Sequence, residues 1–188
     1  MTLIRGNGWT VVKLGGALLS RPDTLCHAIR ALEGAASAGK RLLVVPGGGL
    51  FANAVRAADR SVGLPPDAAH WMAIMGMDQF AHLIAAKAAS ARLVHFLDEA
   101  TAVHNRRELP VIAPYRWLRS ADPLPHSWDV TSDSLAAWVA NRASAGLLIL
   151  VKPVSGGSGD LVDPYFHAAL GRDMRVEVTD AAGLVALL

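Results

Sequence analysis

Short apolar runs alternate along the chain with longer segments whose apolar residues recur every three to four positions. W-T-V-V-K-L (Trp9 to Leu14) reads as a buried strand that ends on a lysine and turns through Gly15 and Gly16. Leu18 to Ala38 then reads as a helix: Leu25, Ala28, Ile29, Leu32 and Ala36 fall on one face, Pro22 suits a first turn, and Gly39 ends it. Arg41 to Val45 is the next strand, so the unit is strand, helix, strand, which implies a right-handed crossover in a parallel sheet. A glycine turn, Pro46 to Gly49, opens a helix over Phe51 to Asp59. Asp67 to Ala91 follows as a long helix carrying Trp71, Met72, Ile74, Met75, Met77, Phe80, Leu83 and Ile84. That is more than one apolar stripe. It predicts burial on two sides, in the chain's own core first and against a second subunit as the alternative, a homodimer.

Leu93 to Leu97 and Leu109 to Ala113 are further strands around a polar helical turn at Asp98 to Arg107. Pro123 and Pro125 lead into a helix whose first turn Thr131 or Ser132 can cap, and whose flank is Leu135, Val139 and alanines. L-L-I-L-V (Leu147 to Val151) is a buried strand, Ser155 to Gly159 a glycine-rich mobile turn, and Arg175 to Val178 with Ala181 to Leu188 close as strand and helix. The pattern predicts an α/β fold, a three-layer sandwich with a mainly parallel central sheet, in one domain over residues 1–188.

Composition supports one core: 188 residues, 52% hydrophobic and 18% charged. The single cysteine, Cys26, excludes an internal disulfide. No apolar run reaches the roughly 20 residues of a membrane span, and the start lacks a charged segment followed by an apolar one. A cytoplasmic protein without membrane partners is expected. The net charge of +2 comes from scattered basic residues rather than a tract, which argues against nucleic acid and suits a small anionic substrate. None of the seven histidines stands at H-x-H or H-E-x-x-H spacing, so no residue is assigned to a metal; His70 and His126 remain able to hydrogen-bond a substrate.

In a parallel sheet the binding crevice forms at the carboxyl ends of the strands. Lys13 with Gly15 and Gly16, the Gly47, Gly48, Gly49 turn, the helix start at Thr131, Ser132 and Asp133, and Lys152 all stand at such ends. Consecutive glycines let backbone N–H groups converge on an anion, and a helix start favours negative charge. Each feature alone is also ordinary turn or capping chemistry. Together they predict an oxyanion site on one sheet edge.

V-V-K-L-G-G, V-V-P-G-G-G and T-S-D-S-L-A-A, in this order, resemble the amino acid kinase family over nearly the whole chain. S-W-D-V-T-S-D-S-L-A and V-D-P-Y-F are similar to the short members that serve methanofuran assembly, which implies an aminomethylfuran-methyl phosphate acceptor. The resemblance implies ATP with Mg²⁺. Lys13 would stabilise the phosphoryl group in flight, oriented by Asp133, with Gly15 and Gly16 donating to phosphate oxygens. Gly47, Gly48 and Gly49 would cradle the acceptor or the γ-phosphate, Asp129 and Thr131 would face the acceptor, and Thr131, Ser132 and Asp163 would lie on the nucleotide side. Where members carry T-D-V-D-G, this chain has K-P-V-S-G, without acids at Pro153 and Ser155 and with a shortened C-terminal nucleotide-binding part. Lys152 is then the candidate second catalytic lysine. A non-catalytic nucleotide- or oxyanion-binding protein, a sensor or storage subunit, is the rival reading.

Overall fold

β1 (Thr10–Leu14) lies inside a six-stranded parallel sheet, flanked by β2 (Leu42–Pro46) and β5 (Leu147–Val151). The computed structural model describes residues 8–153 and 161–188. With β3 (Ala91–Val94), β4 (Leu109–Ile112) and β6 (Arg175–Thr179), the order is β3-β4-β2-β1-β5-β6. The chain leaves β1 towards β2 on one side and returns to β5 on the other. The switch point therefore lies between β1 and β5, where an open parallel sheet places its ligands.

Alternation along the central strands separates two cores. Val11, Leu43, Val45, Leu148 and Leu150 face one layer, with α4 (Leu97–Asn105), α5 (Tyr115–Ala121), α6 (Ser132–Arg142) and α7 (Phe166–Ala169). Val12, Leu14, Leu42, Val44, Ile149 and Val151 face α1 (Pro22–Ser37) and α8 (Ala181–Leu187). The long α3 (Pro66–Lys87) belongs to both: Trp71, Ile74 and Met77 join the first core, and Phe80, Ala81 and Ile84 the second. Most of its apolar residues are thereby buried within the chain, with Met75 exposed and Met72 and Leu83 half-buried.

Several boundaries moved for local reasons. The helix expected from Leu18 is a 3₁₀ turn (Gly16–Ser20) followed by α1 from Pro22, because a residue before proline is pushed out of the helical region, and Arg21 sits at φ −134°, ψ 72°. α2 (Gly49–Val62) outruns the expected Asp59 and stops at Gly63, which takes φ +67°. α3 ends at Lys87, short of Ala91, where Ala88 is already extended. β3 ends at Val94 rather than Leu97, since the Glu99 carboxylate accepts the His95 N–H at 2.6 Å and starts α4. The polar turn expected at Asp98 to Arg107 is that helix. Neither α5 nor α7 was anticipated; α5 has its Tyr115 N–H bound by Asp78 at 3.0 Å. The turn expected at Ser155 to Gly159 falls outside the described residues, apart from which no helix is long and apolar enough to cross a membrane.

Candidate active site

Strand alternation points Lys13 into the layer that holds α6, and the first turn of α6 delivers Asp133 to it. Lys13 Nζ lies 2.8 Å from Asp133 Oδ1, and Lys152 Nζ donates to Asp133 Oδ2 at 2.7 Å. Lys13 and Asp133 are 4% and 5% exposed, so the contact is dry on one side, while Lys152 keeps 20% of its side chain in solvent. Burial holds Lys13 below the ordinary lysine value and the Lys152 charge adds to the effect, against the pull of Asp133. For Asp133 burial acts upward, but the two lysines outweigh it and the carboxyl lies below its usual range. Two ammonium groups share one carboxylate.

The helix that carries Asp133 is fixed by a second acid. Asp163 is buried, and its carboxylate accepts from the Thr131 N–H at 3.0 Å, the Thr131 hydroxyl at 2.7 Å, the Ser134 N–H at 3.0 Å, the Ser134 hydroxyl, and the Tyr165 N–H at 3.2 Å. These donors occupy the acid that the family resemblance placed on the nucleotide side. Its geometry is that of a remote helix cap, which offsets the positive end of α6 and sets the depth of Asp133. Thr131 completes the cap, accepting the Asp133 N–H at 3.4 Å. Ala136, Ala137 and Ala140, all fully buried, let α6 sit close to the sheet.

The two glycine turns meet backbone to backbone. A Cβ on Gly16 would stand 2.1 Å from the Gly49 nitrogen, so only hydrogen fits. Not every expected donor is available, however. Gly15 N–H is bound by the Val151 carbonyl at 2.9 Å, and Gly47 N–H by the Leu14 carbonyl at 2.8 Å. Both continue the sheet ladder past the strand ends, and the cradle narrows to Gly16, Gly48 and Gly49. Those three line a cavity of about 680 Å³ that also takes in Thr131 and Ser132. α2 starts there with no side chain capping its first turn, which leaves helix-start N–H groups for a ligand or water.

The far wall holds residues that sequence reasoning passed over. Arg56 and Asp59 come from α2 and Trp128 from the segment before α6. The Arg56 guanidinium lies 4.2 Å from the Trp128 ring centre, and Trp128 Nε1 donates to Asp59 Oδ2 at 2.7 Å. His70 and His126 line the same cavity as a stacked pair 4.1 Å apart. Burial lowers His70 to about 4, whereas hydrogen bonds to Asp67 and Asp122, at 2.6 and 2.8 Å, raise His126 against its burial. The spacing of Arg56 and Asp59, one turn apart on the helix after P-G-G-G, was the available signal. Asp129 is exposed, engages the Ser127 hydroxyl at 3.2 Å, and is not part of the cavity wall.

Lys13, Lys152 and Asp133 stand just behind the cavity lining rather than in it, and the lysine ammonium groups with the glycine backbone make a donor set suited to phosphate oxygens. No cluster of three metal-ligating side chains occurs among the described residues, and both Asp133 oxygens already face lysines. A Mg²⁺ ion would be held chiefly by nucleotide phosphates. Fold and site together define an α/β protein with a parallel sheet and a crevice at its switch point lined by glycine backbone and a helix start. The chain belongs to the amino acid kinase family, whose model matches residues 8–156. It is 28% identical over 146 residues to (5-(aminomethyl)furan-3-yl)methyl phosphate kinase of Methanocaldococcus jannaschii, a match that covers 78% of this chain and spans 66% of that relative's length. Among solved structures, the fold is that of the uridylate kinase of Archaeoglobus fulgidus, with TM-score 0.69, 17% identity, and 94% and 93% of the two chains covered. The UMP kinase of Bacillus anthracis aligns with TM-score 0.60 and 14% identity over 86% of this chain and 70% of that one.

Proposed function

We propose that this chain is an ATP-dependent small-molecule kinase that extends a phosphate monoester to a diphosphate, with an aminomethylfuran-methyl phosphate as the acceptor. The observation that carries it is the convergence of Lys13 and Lys152 on Asp133, the residue after Ser132, which lines the cavity together with Gly16, Gly48 and Gly49. Phosphoryl transfer asks a protein for alignment and charge neutralisation rather than a covalent nucleophile. Bound Mg·ATP would supply the γ-phosphoryl group. Lys13, fixed by Asp133 at the switch point, neutralises charge on the transferring oxygens. Lys152 reaches the same carboxylate from the end of β5 and takes the place of the second lysine. The glycine wall brings backbone close to the acceptor phosphate with no side chain between.

Lys13→Ala should reduce ADP release, assayed with the furan phosphate and Mg·ATP, by about a hundredfold or more, the scale for losing one preorganised charge. Unchanged turnover would remove Lys13 from the reaction. The rival reading, a non-catalytic oxyanion-binding protein, draws on the internal bonding of the Gly15 and Gly47 amides, which shrinks the cradle. Nucleotide binding without ADP release from any phosphate, carboxylate or carbamate acceptor would favour it. A homodimer would use the α3 stripe of exposed Met75 with half-buried Met72 and Leu83, and a monomer mass in sedimentation would refute it. A cytoplasmic site of action accords with an ATP-dependent reaction.

A further inference from the structure

The acceptor wall contains two opposite charges that are close in sequence and yet do not pair. Arg56 and Asp59 are three residues apart on α2, a spacing that puts their Cβ atoms about 5–6 Å apart and normally joins such a pair across the helix surface. Here the indole of Trp128 comes between them. Arg56 lies over the ring, 4.2 Å from its centre, while the ring N–H donates to Asp59 Oδ2 at 2.7 Å. The Leu64 N–H donates to Asp59 Oδ1 at 2.9 Å. These two neutral donors, with a smaller pull from the nearby Arg60 charge, keep the Asp59 carboxyl below its ordinary range and therefore ionised, but neither donor carries a charge. Asp59 forms no ion pair with any described residue; the ion pairs of the chain lie elsewhere. The cavity wall thus offers a fixed carboxylate in want of a cation, one helical turn from a guanidinium in want of an anion.

We propose that Asp59 recognises a positively charged amine on the acceptor while Arg56 takes the acceptor's phosphate, so that the cavity selects a zwitterionic, amine-bearing phosphate monoester over the same ester without its amine. The inference rests on the reading that the acceptor is a phosphate monoester, and it concerns the group at the acceptor's other end. Trp128 is the spacer: it holds Asp59 by the ring N–H, keeps Arg56 off it, and leaves both charges to the ligand. An ammonium group would add a third, charged donor to a carboxylate whose oxygens each still have a lone pair free.

Direct binding separates this inference from catalysis. Calorimetry would compare furan-3-ylmethyl phosphate with its 5-aminomethyl derivative on the wild type, Asp59→Asn and Trp128→Phe. The wild type should bind the amine-bearing ester roughly 10- to 100-fold more tightly, the scale of one hydrogen-bonded charge. Asp59→Asn should abolish that preference while leaving the amine-free ester unchanged. Trp128→Phe keeps the ring under Arg56 and both charges but releases the Asp59 carboxylate. It should weaken the amine-bearing ester more than the amine-free one, shrinking the preference without abolishing it; an unchanged preference would count against Trp128 as the spacer. Equal wild-type affinity for the two esters, no binding of either, or equal weakening of both by Asp59→Asn would overturn the proposal. ADP release measured in parallel reports on the kinase reading alone: a binding preference without turnover refutes that reading and leaves Asp59 its role, and turnover without preference does the reverse.

Discussion

Replacing Asp133 by Asn removes the single carboxylate between two lysines, and the consequence should appear in stability before any assay of activity. Removing one partner of a buried ion pair costs about 3–5 kcal/mol, because the charge left behind is desolvated and unpaired. Two features of the site argue for the low end. Lys152 is 20% exposed and can turn towards water, and burial already holds Lys13 below its ordinary value, so it can lose its proton more readily. A loss of about 3 kcal/mol in a chain of this size lowers the melting temperature by about 6–12 °C. Lys13→Met is the contrasting change. It keeps the aliphatic bulk and leaves the Asp133 to Lys152 pair intact, so the loss should be about 1 kcal/mol, or about 2–4 °C. An anion that binds between the lysines substitutes for the missing carboxylate, and phosphate at a hundred times its dissociation constant adds about 2.7 kcal/mol. Thermal melts of the wild type and both variants, with and without phosphate, test the reasoning. Asp133→Asn should melt lowest and gain most from phosphate. If it melts within about 2 °C of the wild type, or Lys13→Met is the more damaging change, the triad is not the electrostatic unit described here.

Other outcomes follow from single positions. Gly16→Ala would place a Cβ 2.1 Å from the Gly49 backbone nitrogen and force the two glycine turns apart, so ADP release should fall about a hundredfold, the effect of roughly 1 Å of misplacement. Gly34→Ala is its control: nothing lies within 4 Å of this position in the last turn of α1, and the change should raise stability by about 0.5–1 kcal/mol in a denaturant titration. His70 has its folded value lowered from 6.5 to about 4, so its contribution to stability is fully present above pH 6.5 and is lost as the pH falls towards 4. His70→Gln should therefore flatten the drop in melting temperature across that window. His126 is raised, and the sign reverses: its contribution is present below pH 6.5 and lost as the pH rises through the raised value, a loss that His126→Gln should remove.

The sequence by itself determined the layered parallel sheet. The strands W-T-V-V-K-L and L-L-I-L-V, the periodicity of α1, and glycines just past strand ends depend on nearest neighbours and on a repeat of two or 3.6, which a linear pattern records. It also placed Lys13, Asp133 and Lys152 at one edge, because strand ends in a parallel sheet share that edge. Element boundaries were less legible where a side chain beyond the element decides them, as Glu99 does for the end of β3, whereas the start of α6 could be read because Thr131 caps it locally. Only the tertiary structure could show that Asp163 is a cap, since its five donors lie up to 32 residues away. The same holds for the amides of Gly15 and Gly47, which the neighbouring strands occupy, and for Trp128, which reaches across 69 residues to Asp59. Hydrogen bonds and ion pairs act over about 3 Å in space, and a position in the chain carries no information about which remote groups will stand at that distance once the helices pack.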